Sequence, residues 1–160
     1  MSRPRQPSPD FVPLIALVHR LNRELQQDMV DEAARQGFPS KAAYNYVFAT
    51  LDANGSRATR MAEQAGITRQ SMGEVIRDMT EAGLVETVPD PADRRAKLVI
   101  WTEAGLEQGR RGFEHILELE ERFSREIGEA DYATTQRVLA RLYELMTEDK
   151  KTPRGLSPLD

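Results

Sequence analysis

The stretch from Ser56 to Gly105 leaves the least freedom to the rest of the chain. Its hydrophobic period changes twice, and each change falls on a stop signal. Met61, Ala62 and Ala65 recur at helical spacing, which predicts a short helix over Ala58 to Ala65. Gly66 closes it, as a turn residue that tolerates positive φ. Thr68 then stands as N-cap to a second helix, Arg69 to Ala82, which Gly83 ends in the C′ position. Met72, Val75, Ile76 and Met79 follow the i, i+3, i+4, i+7 rule, so this face is buried. The opposite face carries Gln70, Gly73, Glu74, Arg77 and Glu81, with Arg69 and Ser71 on its flanks near the N-terminus. Helix, glycine turn and a second helix with a polar outer side make helix-turn-helix spacing.

Two β-prone runs follow, Leu84 to Val88 and Lys97 to Trp101, joined by PDPADRRA. Pro89 and Pro91 cannot donate to a ladder, which assigns them to the connection. Asp93, Arg94 and Arg95 then lie near the tip of a hairpin. A helix-turn-helix followed by a basic-tipped hairpin is a winged helix, suited to docking on duplex DNA at two points. The helix offers side chains to the major groove, where base edges are distinguishable. The wing carries arginine to the backbone or to the narrow, electronegative minor groove.

The segment GITRQSMGEVIRDMTEAGLVE, followed by DPADRRAKLVIWTEAG, resembles the MarR (multiple-antibiotic-resistance regulator) family of bacterial transcription factors. The matching hallmark is D-x-R, a strand, then T-x-x-G: here Asp93, Arg95, Thr102 and Gly105. The resemblance in motif covers about a third of the chain. It implies a two-fold homodimer interlocked through the outer helices, and a small-molecule effector, often aromatic or phenolic, in a crevice beside the DNA-binding lobe. On that implication His19, Tyr44, Tyr46, Trp101 and Phe113 are the candidate ligand-binding residues. Family members that sense peroxide use cysteine. This sequence has none, which excludes that mechanism.

A net charge of −4 sits awkwardly with a DNA-binding protein until the chain is divided. Acidic and basic side chains balance over residues 1–55 and again over 56–101, so the whole acidic excess falls in 102–160. A DNA-binding face needs local positive potential only. Arg57, Arg60, Arg69, Arg77, Arg94, Arg95 and Lys97 supply it if they share one side.

The flanks read as helices. Phe11, Leu14, Ile15, Val18, Leu21, Leu25 and Met29 form a stripe running to about Ala34, where Gly37 ends it and Asp10 is a candidate cap. So wide a stripe in a small chain favours a subunit contact over a core helix. Ser40 is placed to cap a helix from about Lys41 to Leu51, with Tyr44, Val47, Phe48 and Leu51 on one face. Thr102 caps a long helix to about Ile127, with Leu106, Phe113, Ile116, Leu117, Phe123 and Ile127 on its apolar side. A last helix, about Tyr132 to Met146, is expected to bury Val138, Leu139, Leu142, Leu145 and Met146.

The expected fold class is mainly α: a winged helix-turn-helix of about six helices plus a small β-hairpin wing, its N- and C-terminal helices forming a dimerisation region. The expected organisation is a disordered tail over 1–9, a single MarR-like domain over 10–147, and a flexible tail over 148–160. Within the domain, 10–37 and 103–147 are the dimerisation helices and 56–101 the DNA-binding lobe.

The expected function is a homodimeric repressor that binds a near-palindromic operator in double-stranded DNA and is relieved by a small ligand. The alternative is a winged-helix protein-interaction module that binds no DNA. Candidate DNA contacts are Thr68, Arg69, Gln70, Ser71, Gly73, Glu74, Arg77, Asp93, Arg94 and Arg95. Gln pairs with adenine and Arg with guanine, while Thr68 and Ser71 suit phosphate at a helix N-terminus. Glu74 suits cytosine or an ion pair with Arg77 or Arg69. Gly73 reads as close approach to DNA or as close packing. Arg95 is the leading wing contact, and Asp93 the residue that holds an Arg or shapes the turn. Two histidines far apart in sequence, and no metal-ligand spacing, phosphate loop or nucleophile motif, argue against an enzyme, a metal site or a cofactor. No segment is long and apolar enough for a membrane, and the chain reads as cytoplasmic.

Overall fold

A computed structural model describes residues 11–151, apart from the side chains of residue 94 and residues 149–151. The expected disordered tail, the candidate cap Asp10 and residues 152–160 lie outside the described residues. The chain divides into two compact units, the first ending at His115 and the second beginning at Ile116. Among the described residues no helix is long and apolar enough to cross a membrane.

The first unit begins with α1 (Leu14–Arg35), which starts after Pro13. Gly37, at φ 81°, ends it: Phe38 N–H reaches Ala33 O at 2.9 Å and Gly37 N–H reaches Ala34 O at 3.0 Å, a Schellman closure. α2 (Tyr44–Phe48) is half the length expected, and no side chain caps it. Bonds of i→i−3 type flank it, from Tyr44 to Lys41, from Tyr46 to Ala43 and from Thr50 to Val47. The periodicity that suggested a longer helix belongs partly to these tighter turns.

α3 (Ala58–Ala65) and α4 (Arg69–Glu81) fall where the sequence puts them. Gly66 adopts φ 67° between them. Thr68 caps α4 by accepting the Ser71 N–H at 3.0 Å. A second Schellman closure, Leu84 N–H to Met79 O and Gly83 N–H to Thr80 O, ends α4. Met61, Met72, Met79 and Val47 are fully buried, so the core of this unit lies where α2, α3 and α4 meet the hairpin.

The hairpin is longer than its sequence suggests. β1 (Val85–Asp90) and β2 (Asp93–Trp101) pair antiparallel, with Val85 opposite Trp101 and Pro89 opposite Lys97. Pro89 therefore lies inside a strand rather than in the connection. The ladder shows why this is tolerated. Val99 exchanges both backbone bonds with Ser56, at 3.0 and 2.9 Å, so its N–H and C=O face away from β1. Thr87 opposite Val99 is then a non-hydrogen-bonded pair, and so is Pro89 opposite Lys97, two residues along. The missing N–H of Pro89 costs no ladder bond. The Ser56 bridge gives β2 a second neighbour that no local sequence signal marks.

α5 (Glu103–Ile127) starts against the end of α4. Thr102 Oγ1 donates to Gly83 O at 2.7 Å and accepts the Gly105 N–H at 3.1 Å. A Cβ built on Gly105 would stand 2.0 Å from Leu84 O and 2.9 Å from the Trp101 ring. T-x-x-G is thus a structural signature here: a hydroxyl that serves two helix ends, and a residue with no room for a side chain. Further along, α5 is tied to α1 by His115 Nε2 and Asp28 Oδ2, 2.6 Å apart.

The second unit holds the rest of α5 and α6 (Glu129–Lys151), which continues into the segment read as a tail. The Phe123 and Tyr132 rings approach at 6.5 Å, and Gln136 donates to Glu120 at 2.7 Å. Val138, Leu139, Leu145 and Met146, expected to be buried, are exposed in the single chain. So is the N-terminal half of α1, where Ile15 is 79% exposed. Amphipathic spacing identifies a face that needs a partner; it does not say which chain supplies one.

Candidate nucleic-acid interface

α4 is two-sided in the strict sense. Met72 and Met79 are fully buried, while Gln70, Gly73, Glu74 and Arg77 are exposed. The first turn presents the Thr68 and Ser71 hydroxyls, 2.8 Å from each other, beside the backbone N–H groups of Arg69 and Gln70. Gln70 Nε2 donates to Glu74 Oε1 at 3.1 Å, so the partner of Glu74 is Gln70, and neither arginine considered for it. A Cβ on Gly73 would meet no atom within 4 Å. Close packing among the described residues is therefore not the reason for a glycine there.

The register of the wing shifts between Pro89 and Asp90, Pro89 lying opposite Lys97 and Asp90 opposite Asp93. Asp90 Oδ1 accepts the Ala92 N–H at 2.8 Å, closing the turn. Its other oxygen accepts Arg57 Nε at 2.8 Å. The Ala92 bond, then the Arg57 guanidinium, hold the Asp90 carboxyl below the usual carboxylate range. This corrects the role expected for Asp93. The side chain that holds an arginine is Asp90, and Asp93 lies 3.7 Å from that guanidinium. Asp93 does shape the turn, accepting the Arg95 N–H at 3.1 Å. The Arg95 side chain is exposed and has no hydrogen-bonding partner among the described residues; that of Arg94 lies outside them.

The basic residues do not all serve one surface. Arg57 is committed to Asp90, Arg60 stands 3.7 Å from Asp52, and Arg69 stands 3.9 Å from Glu63. The last two contacts are loose and exposed, so they constrain little.

Residues 40–96 match the MarR family model. That match spans 57 of the 160 residues, and over it the chain is similar to the MarR family. Solved structures give the same fold over most of its length. The transcriptional repressor CouR, bound to a 23-mer DNA duplex, is 22% identical, with a TM-score of 0.68 over 82% of this chain and 92% of that one. Wild-type MarR from E. coli is 16% identical, with a TM-score of 0.68 over 83% and 98%. The transcriptional regulator SlyA is 16% identical, with a TM-score of 0.72 over 86% and 96%. No curated protein matches the sequence. At these identities the likeness is one of fold, that of MarR-family transcriptional regulators.

The aromatic residues that the MarR resemblance offered for a ligand occupy different settings. Tyr44 is buried in the core. Burial, then its hydrogen bond to Asp78, pushes its phenol up to about 12. Lys41 completes this group, donating to Asp78 at 2.8 and 2.7 Å. Trp101 stacks on Phe48 with ring centroids 5.1 Å apart. Tyr46, Phe113 and His19 are exposed. A shallow open depression lies over the first turns of α5, lined by Glu103, Ala104, Leu106, Glu107 and Arg110, and none of the five aromatic candidates lines it. Arg110 and Arg111 beside Glu107 pull that carboxyl down to about 2.

Proposed function

We propose that this chain is a homodimeric, sequence-specific DNA-binding transcriptional regulator. It lays the outer face of α4 in the major groove and the wing against the backbone or minor groove. The observation that carries the reading is the two-sidedness of α4. One face is locked into the core, and the other is a polar strip with a glycine where an added Cβ would meet none of the described residues within 4 Å. The DNA-bound CouR structure, which shares the fold, supports it.

Gln70 and Arg69 read base edges from the first turn, Thr68 and Ser71 contact phosphate, and Arg77 contacts phosphate further along. Glu74, held by Gln70, fixes that side chain or accepts from cytosine. Arg95 enters the minor groove, with Arg94 beside it. A second copy covers the exposed apolar residues of α1 and α6 and sets two α4 helices on one near-palindromic site. Repression, and its relief by a small ligand that favours a dimer geometry unable to span the site, follow the MarR resemblance.

The test is selection of duplexes from a random pool, then titration of the selected site at several salt concentrations. A specific regulator shows a selected motif with two-fold symmetry and an affinity that falls steeply with salt, by about 0.9 in log–log slope per phosphate contact. Arg95→Ala leaves the dimer intact and weakens binding by roughly five- to a hundredfold, the range for one groove contact. Unchanged affinity at fixed salt refutes the wing assignment. No salt-dependent affinity for any duplex refutes DNA binding and favours the protein-interaction alternative.

A further inference from the structure

Arg57 holds the residue position before α3, where side chains that cap a helix are favoured, and it makes no capping bond. Its guanidinium runs the other way, to the base of the wing. Nε and Nη2 both donate to Asp90 Oδ2, at 2.8 and 2.5 Å, although the two residues lie 33 positions apart. Asp90 is 5% exposed, and its second oxygen is used by the Ala92 N–H. A buried carboxylate with both oxygens engaged is a fixed point, because leaving it unpaired there is costly. The turn beyond it is fixed in sequence: Arg57 approaches Asp93 at 3.7 Å, and Asp93 holds the backbone N–H of Arg95.

We propose that Arg57 is a positioning residue for the wing. From the helix-turn-helix it sets the direction of the hairpin tip, so that Arg95 is already aimed at the groove, and it makes no DNA contact of its own. The inference rests on the DNA-binding reading above. Its physical basis is pre-organisation. A two-stranded ribbon is marginally stable by itself, and a wing that had to be ordered on binding would forfeit affinity. Tying its base to α3 moves that ordering into the folding of the free protein.

The experiment is a double-mutant cycle on the selected duplex, read by fluorescence anisotropy, with thermal melts to confirm that each variant folds. Arg57→Ala weakens binding at least fivefold when Arg95 is present and less than twofold in the Arg95→Ala background. The salt slope falls by about one in the first case and is unchanged in the second. Asp90→Asn supplies the readout that separates positioning from charge. It removes a negative charge near the DNA face, so electrostatics alone predicts tighter binding, whereas a released wing predicts weaker binding. Additive losses for Arg57→Ala and Arg95→Ala, or tighter binding by Asp90→Asn, overturn the proposal while leaving DNA binding intact. Wild-type protein with no affinity for duplex DNA overturns the reading beneath it, and the proposal with it.

Discussion

Gly73→Ala separates what α4 needs as a helix from what it needs as a reading surface. Gly73 lies in the middle of a helix of 13 residues, and a Cβ there meets nothing within 4 Å. Alanine can therefore be added without strain. It removes the backbone freedom that glycine gives the unfolded chain, which stabilises by about 0.5–1 kcal/mol. For a chain of this size that raises the melting temperature by roughly 1–4 °C. The DNA arm has the opposite sign. The new methyl projects from the exposed strip, one turn from Gln70 on one side and from Arg77 on the other. Where the backbone lies against a duplex, one surplus carbon costs about 1–3 kcal/mol, roughly a five- to hundredfold loss of affinity. Calorimetry and anisotropy titration at fixed salt, on one preparation, give both numbers. A variant that melts higher and binds the selected duplex equally well refutes the placement of Gly73 at the contact. One that melts lower refutes the helix argument itself.

Three further outcomes are expected. Gly105→Ala drives a Cβ to 2.0 Å from Leu84 O, a backbone atom that cannot step aside, and destabilises by about 1–3 kcal/mol or more in urea denaturation. A midpoint equal to wild type would show that the start of α5 is looser than its geometry. Tyr44→Phe tests the buried phenol. Its folded pKa is raised from about 10 to about 12, so its contribution to stability is complete below pH 10 and is lost as pH rises toward 12. The stability difference between wild type and variant shrinks across that window, and a constant difference contradicts the assignment. Ile15→Asp places a charge on the most exposed apolar residue of α1 and yields a folded monomer in sedimentation; a variant that still dimerises removes α1 from the interface.

The helix-turn-helix was legible because its signals are local. Thr68, Gly66 and Gly83 mark ends by backbone geometry, and the apolar stripe of α4 needs only a count of residues. The wing was legible in kind but not in extent. Whether Pro89 breaks a strand depends on which way its nitrogen faces, and that is set by Ser56, a residue 33 positions earlier. The Arg57–Asp90 pair was hidden for the same reason. Arg57 looked like one more basic side chain, and Asp93, inside the motif, looked like the partner that Asp90 proves to be. In α6 the apolar stripe is legible, and most of it is exposed in the single chain. Amphipathicity carries no information about what covers it.

The two bonds of the Thr102 hydroxyl, with the bare Cα of Gly105 pressed on Leu84 O, leave no slack between the last turn of α4 and the first turn of α5. A rod pinned so close to its end cannot swivel without dragging the pin. The orientation of the first turn of α5 is therefore coupled to that of the last turn of α4 through Thr102 and Gly105.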